Sequence, residues 1–191
     1  MPAQDLNATA ASLLGFLHDG PRTGWDLVAT AEAAIGPFWS LTRSQVYREL
    51  ARMAESGYVE AGDPGPRERR PYEITDAGRA AFLEWASREP GEEVIRFPLL
   101  LLIALGRHMP AGQLIPAVRH HRTLHAIRLQ RLEGVMQAVE AAQGADPFAV
   151  ATMRFGLGYE RAAVAWFDDL PEEIRGTEPW PEVPPVDGAV A

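Results

Sequence analysis

The segment that most constrains the fold is a short helix with its own start and stop signals. Thr42-Arg43-Ser44-Gln45 has the form of a capping box, with Thr42 as N-cap and Gln45 three residues on. Val46, Leu50 and Met53 follow at helical spacing, and Gly57 supplies a C-terminal stop. A helix patterned this way is apolar on one side only, so neighbouring elements must cover that side.

The flanking sequence supplies those neighbours. Residues 9–19 read as a helix with Leu13, Leu14 and Leu17 on one face, broken by Gly20-Pro21. A second helix over 24–34 offers Trp25, Leu27 and Val28 and ends at Gly36-Pro37. After Gly57, Tyr58-Val59-Glu60 is a strand candidate, Asp63-Pro64-Gly65-Pro66 a turn, and Arg70 to Ile74 the returning strand. Thr75 can cap a fourth helix that carries Phe82, Leu83 and Trp85 and stops near Glu89-Pro90-Gly91. Three helices, a hairpin and a helix, in that order, make a winged helix-turn-helix. The expected fold class is mainly α with a small β-hairpin wing. A winged unit over 1–90 precedes a helical dimerisation and possible effector domain over 91–175 and a Pro-rich flexible tail over 176–191.

Beyond residue 97 the pattern is helical. Pro98 opens a helix running to about His108, and Pro110 opens another that reaches about Gln143, with Pro116 able to kink or restart it. Ile115, Val118, Leu129, Leu132, Met136 and Val139 recur at three- and four-residue spacing, with Arg122 and His125 between them. A helix of roughly 30 residues is ~45 Å long, too long to bury against one small domain. A partner helix from a second copy is therefore expected. The predicted dimer interface is Leu14, Ile115, Val118, His125, Leu129, Leu132, Met136 and Val139. Asp146-Pro147 starts a last helix bearing Phe148, Phe155, Tyr159, Ala162 and Trp166 on one stripe, ending near Leu170-Pro171.

On a helical wheel, the side opposite Val46, Leu50 and Met53 carries Ser44, Arg48, Arg52 and Glu55, with Gln45 at its edge. Arginine can pair with guanine O6 and N7, and glutamine with adenine N6 and N7. Helices that read DNA use their first turns for base edges, which favours Ser44, Gln45 and Arg48. Arg43 and Tyr47 flank that face and suit phosphate. An ordinary solvated face is the alternative, and Glu49 and Glu55 speak for it, because acids repel phosphate. Arg67, Arg69 and Arg70 sit where the hairpin tip would reach beside this helix, and arginines there can enter a minor groove or clamp phosphates. Together the two features point to double-stranded DNA.

Composition is consistent with that partner once charge is located. The net charge is -8, yet from Trp166 onward there are seven acids and a single arginine, so the preceding chain is close to neutral. No cysteine is present, which excludes disulfides, thiolate metal sites and cysteine nucleophiles. No secretory signal is recognisable, and the longest apolar run, Leu99 to Leu105, is too short for a bilayer, so a cytoplasmic protein is expected.

Several of these pieces resemble one family. Leu13-Leu14-Gly15-Phe16-Leu17, Gly24-Trp25-Asp26-Leu27, Ser44-Gln45-Val46-Tyr47-Arg48-Glu49-Leu50, Gly57-Tyr58-Val59-Glu60 and Tyr72-Glu73-Ile74-Thr75-Asp76-Ala77-Gly78 occur in the order seen in the PadR family of bacterial transcription regulators. Trp25 replaces that family's usual tyrosine, and Arg48 stands where proline is common. The resemblance covers about Ala11 to Leu83. It implies a repressor that dimerises through its C-terminal helices, in a family whose members respond to small aromatic effectors, and the two-fold symmetry of such a homodimer calls for an inverted-repeat operator. Such an effector would be sought near Trp39, Phe148, Phe155, Tyr159 and Trp166, although such a stripe is more often helix packing than a ligand box.

His120, His121 and His125 share a basic stretch, but no carboxylate or cysteine nearby in sequence completes a metal set. An interface ion network or a second DNA-facing surface are the other readings of that cluster. No phosphate loop, nucleophile elbow or matched carboxylate pair suggests an enzyme, and no cofactor is expected. The competing reading is a DNA-independent helical module that binds a protein partner or a hydrophobic ligand.

Overall fold

A computed structural model describes residues 6–36, 38–63, 65, 70–92, 96–142 and 144–184. It divides into two compact units, 1–92 and 93–191.

The first unit contains α1 (Ala8–Leu17), β1 (Arg22–Thr23), α2 (Gly24–Ala34), α3 (Arg43–Glu55), β2 (Val59–Ala61), β3 (Pro71–Ile74) and α4 (Asp76–Ala86). Each of its helices starts on a side-chain cap. Asn7 accepts from the Ala10 amide, and Thr75 accepts from that of Gly78. Thr23 with Asp26, and Thr42 with Gln45, form reciprocal capping boxes. Leu13, Leu14, Leu17, Leu27, Val46 and Leu50 are wholly enclosed in the core these helices make. At ~1.5–3 kcal/mol for each fully buried leucine, they dominate the stability of the unit.

This core corrects one expectation. Leu14 is buried by its own chain, so it offers nothing to a second copy. The sheet also exceeds the predicted hairpin. β1 pairs antiparallel with β3, giving the strand order β1-β3-β2. α4 begins so close to β2 that a Cβ on Gly78 would lie 2.1 Å from the Tyr58 carbonyl oxygen, which only glycine avoids.

The second unit contains α5 (Pro98–Ala104), a 3₁₀ turn (Gly106–His108), α6 (Ile115–Ala141), α7 (Pro147–Asp168) and α8 (Glu172–Arg175). Pro116 falls in the first turn of α6, where its missing N–H is harmless, so it starts the helix instead of kinking it. Asp146 caps α7 through the amides of Phe148 and Ala149. The two long helices run antiparallel and are joined by ion pairs from Arg122 to Asp168 (3.1 Å), Arg161 to Glu133 (2.9 Å) and Arg154 to Glu140 (3.9 Å).

The partner helix expected for α6 is thus present in the same chain. Val118, His125 and Met136, assigned to a dimer seam, are buried inside this unit, while Ile115, Leu129, Leu132 and Val139 are half-buried. Leu99, Val118 and Phe167 form the enclosed core, with Trp166 and Trp180 packed against it.

Trp180 anchors the first part of the segment expected to be a loose tail. The guanidinium carbons of Arg119 and Arg122 lie 5.3 and 5.1 Å from its ring centroid. Arg119 further donates to the carbonyls of Glu178 and Pro179. No helix among the described residues is long and apolar enough to cross a membrane.

Candidate nucleic-acid interface

α3 is locked on one side and open on the other. Val46, Leu50 and Met53 anchor it in the core, and the same turn of backbone leaves Arg43, Ser44, Tyr47, Arg48 and Arg52 exposed. The Arg48 side chain is 64% exposed. The exposed side of α3 therefore presents the Ser44 hydroxyl and three arginines beside a helix N-terminus, an arrangement that favours anions.

Two predicted contacts have structural duties of their own. The Gln45 amide oxygen accepts from the Thr42 amide at 2.8 Å and from its hydroxyl at 2.9 Å. Bidentate pairing with adenine needs both amide atoms, so the cap leaves Gln45 only its donor. The Tyr47 ring lies over the start of α2. A Cβ on Gly24 would meet Tyr47 Cε1 at 2.6 Å, which explains a glycine at that position.

Glu49 was counted against an anion site, and the structure removes it from the exposed face. It is 4% exposed and hydrogen-bonded by Asn7 Nδ2 at 3.2 Å. On the wheel, position 49 lies nearer to Val46 than to Arg48, so its inward course was legible. Glu55 remains exposed.

The wing bears Arg70, exposed beside the start of β3. Arg67 and Arg69 lie outside the described residues.

The residues considered for an effector pocket differ in their burial. Phe148 is 81% and Phe155 64% exposed, and Tyr159 is also exposed, whereas α7 buries Gly156, Leu157, Glu160 and Phe167 on a different side. Trp166 belongs to the core, stacked edge-on against Phe167 at 4.8 Å. Trp39, in the other unit, is exposed.

Glu160 went unnoticed in the sequence. It meets His125 Nδ1 at 2.5 Å with both side chains buried, ringed by Phe97, Tyr159 and Phe167. An acid on the apolar side of a helix was the available signal. The His125 ring is therefore committed to a carboxylate inside its own unit. No group of three or more histidine, aspartate or glutamate side chains among the described residues could hold a metal ion. Burial, then the charges of His120, His125 and Arg128, draws the His121 imidazole below its ordinary value of 6.5.

Similarity to known proteins follows both units. Residues 13–84 match the family described as "Transcriptional regulator PadR-like family", and residues 95–175 match "Virulence activator alpha C-term". The negative transcriptional regulator PadR of Bacillus subtilis is 23% identical over 171 residues, covering 83% of this chain and 93% of that protein. The probable transcriptional regulator Rv1176c of Mycobacterium tuberculosis is 25% identical over 183 residues, covering 86% and 96%. The crystal structure of Bacillus subtilis PadR in complex with operator DNA superposes with a TM-score of 0.72 at 20% identity, covering 86% of this chain and 97% of that one. A complex of the same Bacillus protein with p-coumaric acid gives 0.64, covering 88% and 98%. With a winged unit and a helical unit matched in turn, and relatives named as regulators along most of their length, the chain belongs to the PadR-like family of transcriptional regulators.

Proposed function

We propose that this regulator is a cytoplasmic homodimer that represses transcription by placing two copies of α3 in successive major grooves of an inverted-repeat operator. The observation that carries this reading is the outward arginine-bearing side of α3, with Glu49 buried beneath it. Ser44 and Arg48 read base edges, Arg43 and Tyr47 meet phosphate, and the wing arginines 67, 69 and 70 clamp the adjoining backbone. Repression is supported by the negative regulator among its relatives.

A second copy supplies the two-fold axis an inverted repeat requires. The half-buried Leu129, Leu132 and Val139 and the exposed Leu100, Leu101, Phe148 and Phe155 are apolar surface for that contact. A small aromatic effector is supported by the p-coumaric acid complex of a protein of similar fold. It would release DNA by binding one arrangement of the dimer better than the other.

Titration of duplex DNA at increasing salt tests the reading. Affinity should fall steeply, because each phosphate contact releases counterions. Arg48→Ala should cost about 1–3 kcal/mol and relax preference at one base pair per half-site. The exposed apolar side of α5 favours a second reading, a protein-interaction or hydrophobic-ligand module. On that reading, duplex binding would be weak and nearly independent of salt.

A further inference from the structure

Glu49 joins three parts of the winged unit that the sequence keeps apart. Its Oε2 accepts from Asn7 Nδ2 at 3.2 Å, while Asn7 uses its own amide oxygen to cap α1. Both Glu49 oxygens lie 3.4 Å from Arg52 Nη1, and Arg48 Nε stands 3.8 Å from Oε1. The carboxylate side chain is 6% exposed, whereas those of Arg52 and Arg48 are 44% and 64% exposed. A rigid buried anion thus sits beneath two solvent-facing cations, held from behind by the cap of α1.

We propose that Glu49 is a positioning residue that sets the specificity of the α3 surface. Resting on the DNA-reading function proposed above, the inference concerns how discrimination is achieved there. An arginine on a free stem binds any phosphate it reaches, which adds affinity without sequence information. One whose guanidinium is paired with a buried carboxylate, through Nη1 in Arg52 and at 3.8 Å from Nε in Arg48, has fewer conformers and a reduced net charge. Its remaining N–H groups stay available to an acceptor at a defined place. Glu49 therefore suppresses random-duplex binding through Arg52 and orients Arg48 toward base edges.

The test compares wild type, Glu49→Gln and the double variant Glu49→Gln/Arg52→Gln on a duplex selected from a random pool and on a random duplex, across salt. Glutamine is isosteric and can still accept from Asn7 through its amide oxygen. Glu49→Gln should tighten random binding and steepen its log–log salt slope by about 1, the signature of one freed cation. The selected-to-random affinity ratio should fall about tenfold, comparable to misreading one base pair. Adding Arg52→Gln should return the slope to the wild-type value. Equal loss of both affinities, with ratio and slope unchanged, would show a merely structural role and overturn the inference. The same holds if the variant behaves as wild type. Wild type that does not discriminate between the duplexes would overturn the DNA-reading function itself, and the Glu49 inference with it.

Discussion

On α3 the arginines face outward and the neighbouring acid faces inward, whereas along α6 and α7 opposite charges meet across the helix pair. Arg48 and Arg52 share a single buried carboxylate and stay largely in solvent. In the second unit Arg122, Arg154 and Arg161 each find an acid on the facing helix, and His125 finds Glu160 in the interior. The same residue types therefore do different work. The winged unit is held by leucine burial and caps, and on α3 two arginines share one carboxylate, so positive charge remains on that surface. The helical unit uses charge to fix the register of its own hairpin, and it also leaves Leu101, Phe148 and Phe155 exposed. Net charge could not distinguish these uses; location did.

The sharpest way to break this comparison is to remove one half of the buried pair. Glu160→Leu should destabilise the second unit by about 3–5 kcal/mol, because His125 would remain desolvated without its partner. The double variant His125→Leu/Glu160→Leu should recover much of that loss in a denaturant titration. Glu49→Gln, which keeps its acceptor for Asn7 beneath the α3 surface, should change stability far less.

A smaller effect is expected at the C-terminal segment. Trp180→Ala should cost about 1–3 kcal/mol, since a half-buried ring and its stacked guanidinium groups are lost together. Thermal unfolding would register the change, and duplex binding by the winged unit should stay at the wild-type level once the protein is folded.

The smallest effect is a pH dependence. His121 has its folded-state value lowered, so the unfolded chain binds more protons just below pH 6.5. Its contribution to stability is fully present above that value and is lost as pH falls toward the depressed one. Melting temperature should therefore drop on acidification from pH 7.5 to 5.5, and His121→Gln should flatten part of that drop.

Legibility in the sequence followed local signals. Thr42 with Gln45 fixed the start of α3, Asp146-Pro147 that of α7, and Thr75 that of α4, because caps act within four residues. β1 carries only two residues, too few for an alternating pattern, and its pairing to β3 spans the unit. Periodicity along α6 showed that a face is covered, but not that α7 of the same chain covers it. Trp180 lay among prolines and acids, where nothing local announces an anchor.

In the site, the exposed cations were legible from the wheel. The double duty of Gln45 and the packing of Tyr47 on Gly24 were not, since both depend on what neighbouring atoms already occupy.

Selection of bound duplexes from a random pool at physiological salt, run in parallel with wild type and Arg48→Ala, tests the central claim most directly. The account predicts that wild type enriches an inverted repeat with half-sites about one helical turn apart, ~34–36 Å centre to centre. It also predicts that Arg48→Ala loses preference at one symmetry-related pair of positions. An identical motif from both proteins would contradict the assignment of α3 as the reading helix, and a pool that stays random would contradict DNA recognition altogether.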